Sequence, residues 1–147
     1  LTDDQLLESI KPNFLLTPSP PSITPDSPHT YSMFFNEKWY HLKAKEQIIT
    51  DDPVEGLDAS ILQNYLLSPI LDIDDPRTNK RIDFVGGIRG LEELERRCSL
   101  DAKVAFALHP VSIYDLLAVA DADKVMPPKS TWFEPKLRSG LVVRLLD

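Results

Sequence analysis

Prolines set the outer bounds on this fold. The 147 residues include thirteen of them, and each fixes φ and removes a backbone donor. Pro12 stops any helix begun near Thr2, Pro69 breaks one begun near Asp58, and Pro110 ends an apolar run at Leu108. Pro18, Pro20, Pro21, Pro25 and Pro28 crowd the stretch Thr17–Pro28, which reads as an extended, polyproline-like connector. Two PxxP spacings there match an SH3-type ligand. No basic residue flanks them, so the stretch is read as a linker. The chain is therefore built from short elements, at a length that suits one domain with a sizeable core. Residues 1–28 are assigned to an N-terminal helix and Pro-rich connector, and 29–147 to a C-terminal α+β domain.

Between the prolines the periodicities are legible. Thr2-Asp3-Asp4-Gln5 is a capping box, and Leu6, Leu7 and Ile10 follow on one helical face. Residues 13–16 suit a short strand. Tyr31, Met33 and Phe35 alternate, as do Trp39 and His41 against Tyr40 and Leu42, so Thr30–Lys45 reads as a hairpin turning at Asn36-Glu37-Lys38. Its aromatics could stack bases, but without interleaved cations they read as sheet packing. An acidic loop, Glu46–Leu57, precedes a helix capped by Asp58 with Ile61, Leu62, Tyr65, Leu66 and Ile70 near one face. Asp72–Pro76 fails the EF-hand pattern, with Arg77 where Gly is needed, and reads as a solvated turn. Ile82–Val85 is a strand candidate, followed by Gly86-Gly87 and a helix with Ile88, Leu91, Leu94 and Cys98 inward. Val104–Leu108 is another strand, and Ser112 with Asp115 caps a further helix. Strand, helix, strand, helix in that order predicts at least one parallel pair with a crossover.

The formal charge is −7, which argues against a general nucleic-acid or anionic-membrane surface. No apolar run reaches membrane-span length. The single cysteine, Cys98, excludes an intrachain disulfide and fits a cytoplasmic setting. The charge is uneven. From Lys124 onward, Lys124, Lys129, Lys136, Arg138 and Arg144 face only Glu134 and Asp147. That is a net of +3, which leaves −10 on the rest of a chain totalling −7. A basic tail on an acidic body suits an anionic ligand near the tail, or packing of the tail on that body.

The tail also has the chemistry for a ligand. Pro127-Pro128 stiffens the approach to Lys129-Ser130-Thr131, one ammonium and two hydroxyls in three residues. Such a group can hold phosphate or carboxylate, and preordering lowers the entropy lost on binding. Lys136 and Arg138 add charge if Trp132–Lys136 pairs with Leu141–Leu145 in a C-terminal hairpin turning at Gly140. The alternative is a wedge whose Trp132 and Phe133 plug the core while Lys129 lies in solvent. His109, at a strand exit beside Pro110, is a candidate ligand contact. GxSxG, HExxH, CxxC and a complete P-loop are absent. No catalytic residue, metal ligand or cofactor is assigned, and catalysis is left open.

The Lys38-Trp39-Tyr40-His41-Leu42 strand, Gly56-Leu57-Asp58-Ala59-Ser60-Ile61-Leu62, Phe84-Val85-Gly86-Gly87 and above all Met126-Pro127-Pro128-Lys129-Ser130-Thr131-Trp132-Phe133-Glu134-Pro135-Lys136-Leu137 carry a resemblance. From about Tyr31 onward the chain resembles the C-terminal region of the bacterial domain of unknown function 1015 family. Members are typically longer, and their preceding half is similar to the ParB and sulfiredoxin-like superfamily, with an Asp-Gly-His-His-Arg-Tyr motif. Related members of that superfamily bind nucleotides, and some transfer phosphate. The motif is absent here, since the histidines are scattered as His29, His41 and His109, so the resemblance places no catalytic role on this chain. Asn36-Glu37 stands where that family's asparagine-glycine turn is expected, which suggests a different turn.

The expectations are these. The fold is α+β, a mixed, largely antiparallel sheet with three to four packed helices and a C-terminal hairpin. The chain, which does not begin with Met, reads as a fragment or processed chain. It is expected to be an accessory C-terminal domain of a larger cytoplasmic bacterial protein. It would bind a phosphate- or nucleotide-like anion through Lys129, Ser130 and Thr131, with Lys136, Arg138 and His109, together with its own N-terminal half. The alternative is a structural or oligomerisation module without a ligand.

Overall fold

A computed structural model describes residues 2–21 and 23–131. The elements run α1 (Asp3–Ile10), β1 (Phe14–Pro18), β2 (Thr30–Phe35), β3 (Lys38–Ala44), α2 (Asp58–Leu62), α3 (Ser68–Leu71), α4 (Gly90–Leu100), β4 (Val104–Leu108) and α5 (Ile113–Asp121). The strands form one sheet in the order β1-β3-β2-β4 with every pairing antiparallel. The chain is α+β, as the sequence predicts. The C-terminal hairpin, with Trp132, Phe133, Lys136 and Arg138, lies outside the described residues.

Register explains the layers. Phe14 faces Ala44, Leu16 faces Leu42, Tyr31 lies between Leu42 and Leu108, and Met33 between Tyr40 and Phe106. Side chains alternate along a strand, so these residues share one face. Leu6 and Ile10 of α1 and Ile61, Leu62, Leu66 and Leu67 of the segment after Asp58 pack on it. Phe14 meets Tyr31 edge to face, with ring centroids 5.8 Å apart, a favoured aromatic arrangement. The opposite face carries Ser32, Phe34, Trp39, Ala105 and Ala107. Helix α4 approaches there, with Glu95 accepting from the Trp39 indole at 2.6 Å.

Local chemistry sets the element ends. Both expected capping boxes form, Thr2 with Gln5 and Ser112 with Asp115. The hairpin turn is shorter than the three residues predicted, because Phe35 pairs directly with Lys38. Asn36 and Glu37 both take positive φ, 50° and 60°, as a two-residue type I′ turn requires. Glu37 thus adopts a left-handed conformation that glycine takes most readily. Pro69 does not simply break its helix. A π-helical turn, Gln63–Leu67, lies between α2 and α3 and widens the spiral before the proline, which enters at the start of α3.

Three expectations need correction. Ile82–Val85 is not a strand, and among the described residues there is no parallel pair. The polar residues on either side of Ile82 are bonded to other elements instead: Arg81 donates to the Leu71 carbonyl at 2.7 Å and Asp83 accepts from Arg97 at 2.8 Å. Ile88 is not on the buried face of α4, for it sits in the preceding 3₁₀ turn and is 80% exposed. The Pro-rich stretch is bonded to the sheet rather than hanging between units. Ser19 donates to the Trp39 carbonyl at 3.0 Å, and buried Ser32 donates to Ile23 at 2.5 Å. Helix α1 and strand β1 therefore share one core and one sheet with the elements that follow.

Candidate functional site

The cationic stretch begins after α5. Lys129 has φ 61°, a left-handed conformation that follows the rigid Pro127-Pro128 pair. Its side chain is exposed, and among the described residues it makes no ion pair. Asp83 is close enough for the Lys129 charge to help hold its carboxyl low, but the larger cause is the bond from Arg97. The carboxylate that senses the Lys129 charge thus already has a partner in Arg97. Ser130 is committed locally, donating its hydroxyl to the Pro127 carbonyl at 2.7 Å. Thr131 is exposed. Lys129 and Thr131 can present a charge and a hydroxyl outward, while Ser130 holds the turn that presents them. Lys136 and Arg138 lie outside the described residues.

His109 is elsewhere, in a cluster that sequence reasoning did not assemble. Tyr31 pairs with Leu108, so antiparallel register brings the start of β2 beside the exit of β4. That brings His29 and His109 to the same end of the sheet. The backbone amide of His29 donates to Asp58 at 2.8 Å. Its ring nitrogen Nδ1 lies 3.1 Å from the same carboxylate oxygen but outside hydrogen-bonding geometry, so that contact is electrostatic. The Asp58 side chain is only 10% exposed. Burial pushes its carboxyl above the ordinary aspartate value, while the His29 amide and the charges of His29 and His109 pull it down. Tyr31, fully buried, donates its hydroxyl to the Asp58 carbonyl at 3.0 Å. His109 Nδ1 lies 3.2 Å from the Pro25 carbonyl, so a neutral ring would donate from Nδ1.

This cluster joins the connector, β2, α2 and the β4 exit. Asp58 does not cap its own helix, as expected from its position; its carboxylate holds the neighbouring strand. Its members are 29 and 51 residues apart along the chain, a separation that carries no motif. The signal that would have found it is the antiparallel β2–β4 pairing, which the parallel reading of residues 82–122 hid.

Elsewhere several charged side chains pair with one another. Arg97 bridges Asp101 and Asp83, and Glu93 takes Arg96. Among the described residues no group of three or more histidine, cysteine or acidic side chains is placed to hold a metal ion. Burial raises the Cys98 thiol above its ordinary value, away from nucleophilic use. Two open depressions, about 530 and 440 Å³, lie by Leu15 and Lys43 and by Pro18 and Trp39. Neither is lined by Lys129, Ser130, Thr131 or His109. No described helix is long and apolar enough to cross a membrane. No family model, curated protein or solved structure matches the chain.

Proposed function

We propose that this chain is an accessory domain that binds, rather than transforms, an anionic group, and that Lys129 is the centre of that contact. The supporting observation is the placement of one charge. On a chain of net −7, the Lys129 ammonium is exposed and makes no ion pair among the described residues, and Asp83, whose carboxyl its charge helps hold low, is already bonded to Arg97. Local turn chemistry fixes its backbone: two prolines before it, a positive φ at it, and the Ser130 hydroxyl bond behind it. A phosphate or carboxylate would meet Lys129 as a point charge and Thr131 as a donor, with Lys136 and Arg138 near in sequence. The resemblance of Met126–Leu137 to the C-terminal region of the family named above agrees with a partner body that shares the ligand. Neither of the two depressions described above is lined by Lys129, and one exposed charge contributes little, so affinity is weak for this chain alone.

The test is a titration of the whole chain with inorganic phosphate, ADP and citrate, followed by amide chemical shifts of residues 126–131. The expected result is saturable movement of the Lys129 and Thr131 amides. Lys129→Gln should weaken binding by roughly fivefold, about 1 kcal/mol for one exposed charge. Saturable binding that Lys129→Gln leaves unchanged, or no saturable movement with any of the three anions, overturns the proposal.

A second reading, a structural or oligomerisation module, is favoured by a different observation. Ile113, Tyr114 and Leu117 of α5, together with Leu100 and Val125, are exposed. That reading predicts that Lys129→Gln changes nothing and that association depends on α5.

A further inference from the structure

The two edge strands of the sheet end differently. Strand β1 runs into Pro18, and proline blunts an edge. Strand β4, Val-Ala-Phe-Ala-Leu, contains no charge, proline or glycine, and Lys103 and His109 lie just outside it. Its five residues are all half-buried, and Val104, Phe106 and Leu108 pack against the core. The hairpin turn sets which backbone groups of β4 are free. A two-residue turn closes on a pair that exchanges both backbone bonds, here Phe35 and Lys38. Met33 and Tyr31, spaced by two, therefore also bond to β3, and the Ala44 amide keeps that parity by donating to the His29 carbonyl at 2.9 Å. The intervening Ser32 and Phe34 turn their groups to Ala107 and Ala105 of β4. The amides and carbonyls of Val104, Phe106 and Leu108 then point the other way, to the edge that has no partner among the described residues.

We propose that this edge is a dimer interface, in which β4 pairs antiparallel with β4 of a second copy about a two-fold axis at Phe106. Two features of the strand share that centre. The side chains are close to symmetric about it: Val104 meets Leu108 of the other copy, Ala105 meets Ala107, and Phe106 meets its own equivalent. The free backbone groups are symmetric about it as well. Val104, Phe106 and Leu108 of one copy lie opposite Leu108, Phe106 and Val104 of the other, so each free amide meets a free carbonyl, in roughly six bonds. A two-fold contact requires a self-complementary surface of this kind. A centre one residue away would set Lys103 against Ala107 or Ala105 against His109. Only the centre at Phe106 keeps all five residues of each strand opposite one another. Paired residues of an antiparallel ladder project to the same face, so the core row of Val104, Phe106 and Leu108 runs on from one copy into the next. The pairing goes beyond anion binding and does not depend on it. It places association on the β4 edge and not on α5.

Sedimentation equilibrium of the whole chain at rising concentration should show the mass increase from one copy to two. Isotope-filtered Overhauser spectra of mixed labelled and unlabelled chains then read the register. Ala105 and Ala107 of opposite copies form a close pair without hydrogen bonds, so their Hα protons should show a contact between chains. Val104→Pro removes one free donor per copy at the first residue of a strand, where proline is tolerated. It should raise the dissociation constant at least about tenfold, for two bonds lost per dimer. A single-copy mass at every concentration overturns the proposal, as does a dimer that lacks the Ala105–Ala107 contact. It is also overturned by contacts within one chain from residues 132–147 to the outer edge of β4, or by an unchanged dissociation constant in folded Val104→Pro. Should Val104→Pro not fold, the contacts between parent chains decide alone.

Discussion

The two sides of the sheet are finished to different degrees. On the side where β1, β2 and β3 face α1 and α2, Ile10, Tyr31, Met33, Leu42, Ile61 and Leu66 are wholly buried, and one cluster joins helices and strands. On the side of β4, α4 and α5, the strand is half-buried throughout, α4 buries no residue fully, and α5 buries only Val119. The first side is held by apolar packing. The second depends more on charge pairs such as Arg97 with Asp83 and Asp101, and exposed pairs contribute little each. Stability should therefore be concentrated between Leu6 and Ile73, and the later elements should open at lower free energy.

Truncation on each side gives the largest test of that contrast. Phe14 is 1% exposed and contacts Tyr31, so Phe14→Ala should destabilise by about 3–5 kcal/mol through lost burial and the cavity left behind. Leu100, 68% exposed at the end of α4, should lose no more than about 0.5 kcal/mol as Leu100→Ala. Urea unfolding of both variants measures the difference. A cost above 2 kcal/mol at Leu100 would mean that the β4 side is as tightly packed as the other, and the comparison would break.

How much of this was legible in the sequence follows the same division. The N-terminal side obeyed local rules. A capping box, a hairpin with strict alternation and the 3.6-residue apolar pattern after Asp58 each appear where the residues place them. Those signals are short-range, and nearby residues carry the packing that satisfies them. Residues 82–122 misled for a physical reason. Ile-Asp-Phe-Val alternates like a strand, but Arg81 and Asp83 are bonded to the end of α3 and to α4, and no ladder forms. With that strand removed, β4 pairs with β2 among the described residues, in the opposite sense. The Asp58 cluster was invisible for the same reason, since only long-range register joins His29 to His109. The Lys129 stretch was legible as chemistry, but the use of the Ser130 hydroxyl within its own turn was not.

Asp58 gives a medium-sized effect and sharpens the contrast, because its carboxylate ties the start of β2 to the start of α2. Asp58→Ala leaves the His29 amide without its acceptor in a part-buried place, at about 1–3 kcal/mol. Asp58→Asn keeps an oxygen there without a desolvated charge, so it should cost much less, and burial even favours the neutral group. Thermal unfolding at neutral pH should rank wild type and Asp58→Asn close together, with Asp58→Ala well below. Equal loss in both variants would show that the charge, not the acceptor, holds the strand.

The smallest effect falls on the tie between the two sides. Lys124, just past α5, pairs with Asp52 in the loop before α2. The bond from Lys124 is the largest cause holding the Asp52 carboxyl at about 2, against an ordinary value of 3.8, and the Glu55 and Val54 amides add to it. A depressed folded value means that the contribution is complete above the unfolded value and is lost as pH falls through the folded one. The window is therefore about pH 4 down to 2. A carboxyl carbon titration should find Asp52 in Lys124→Gln displaced upward toward 3.8, but still below it, because the two amides remain. The variant's deficit in unfolding temperature should be constant from pH 7 to about 5 and shrink toward zero near pH 2. An Asp52 titration unmoved by Lys124→Gln would mean that the loop amides alone hold the carboxylate. The lightly packed C-terminal elements would then be joined to the core by the sheet and α4, with no electrostatic link from Lys124.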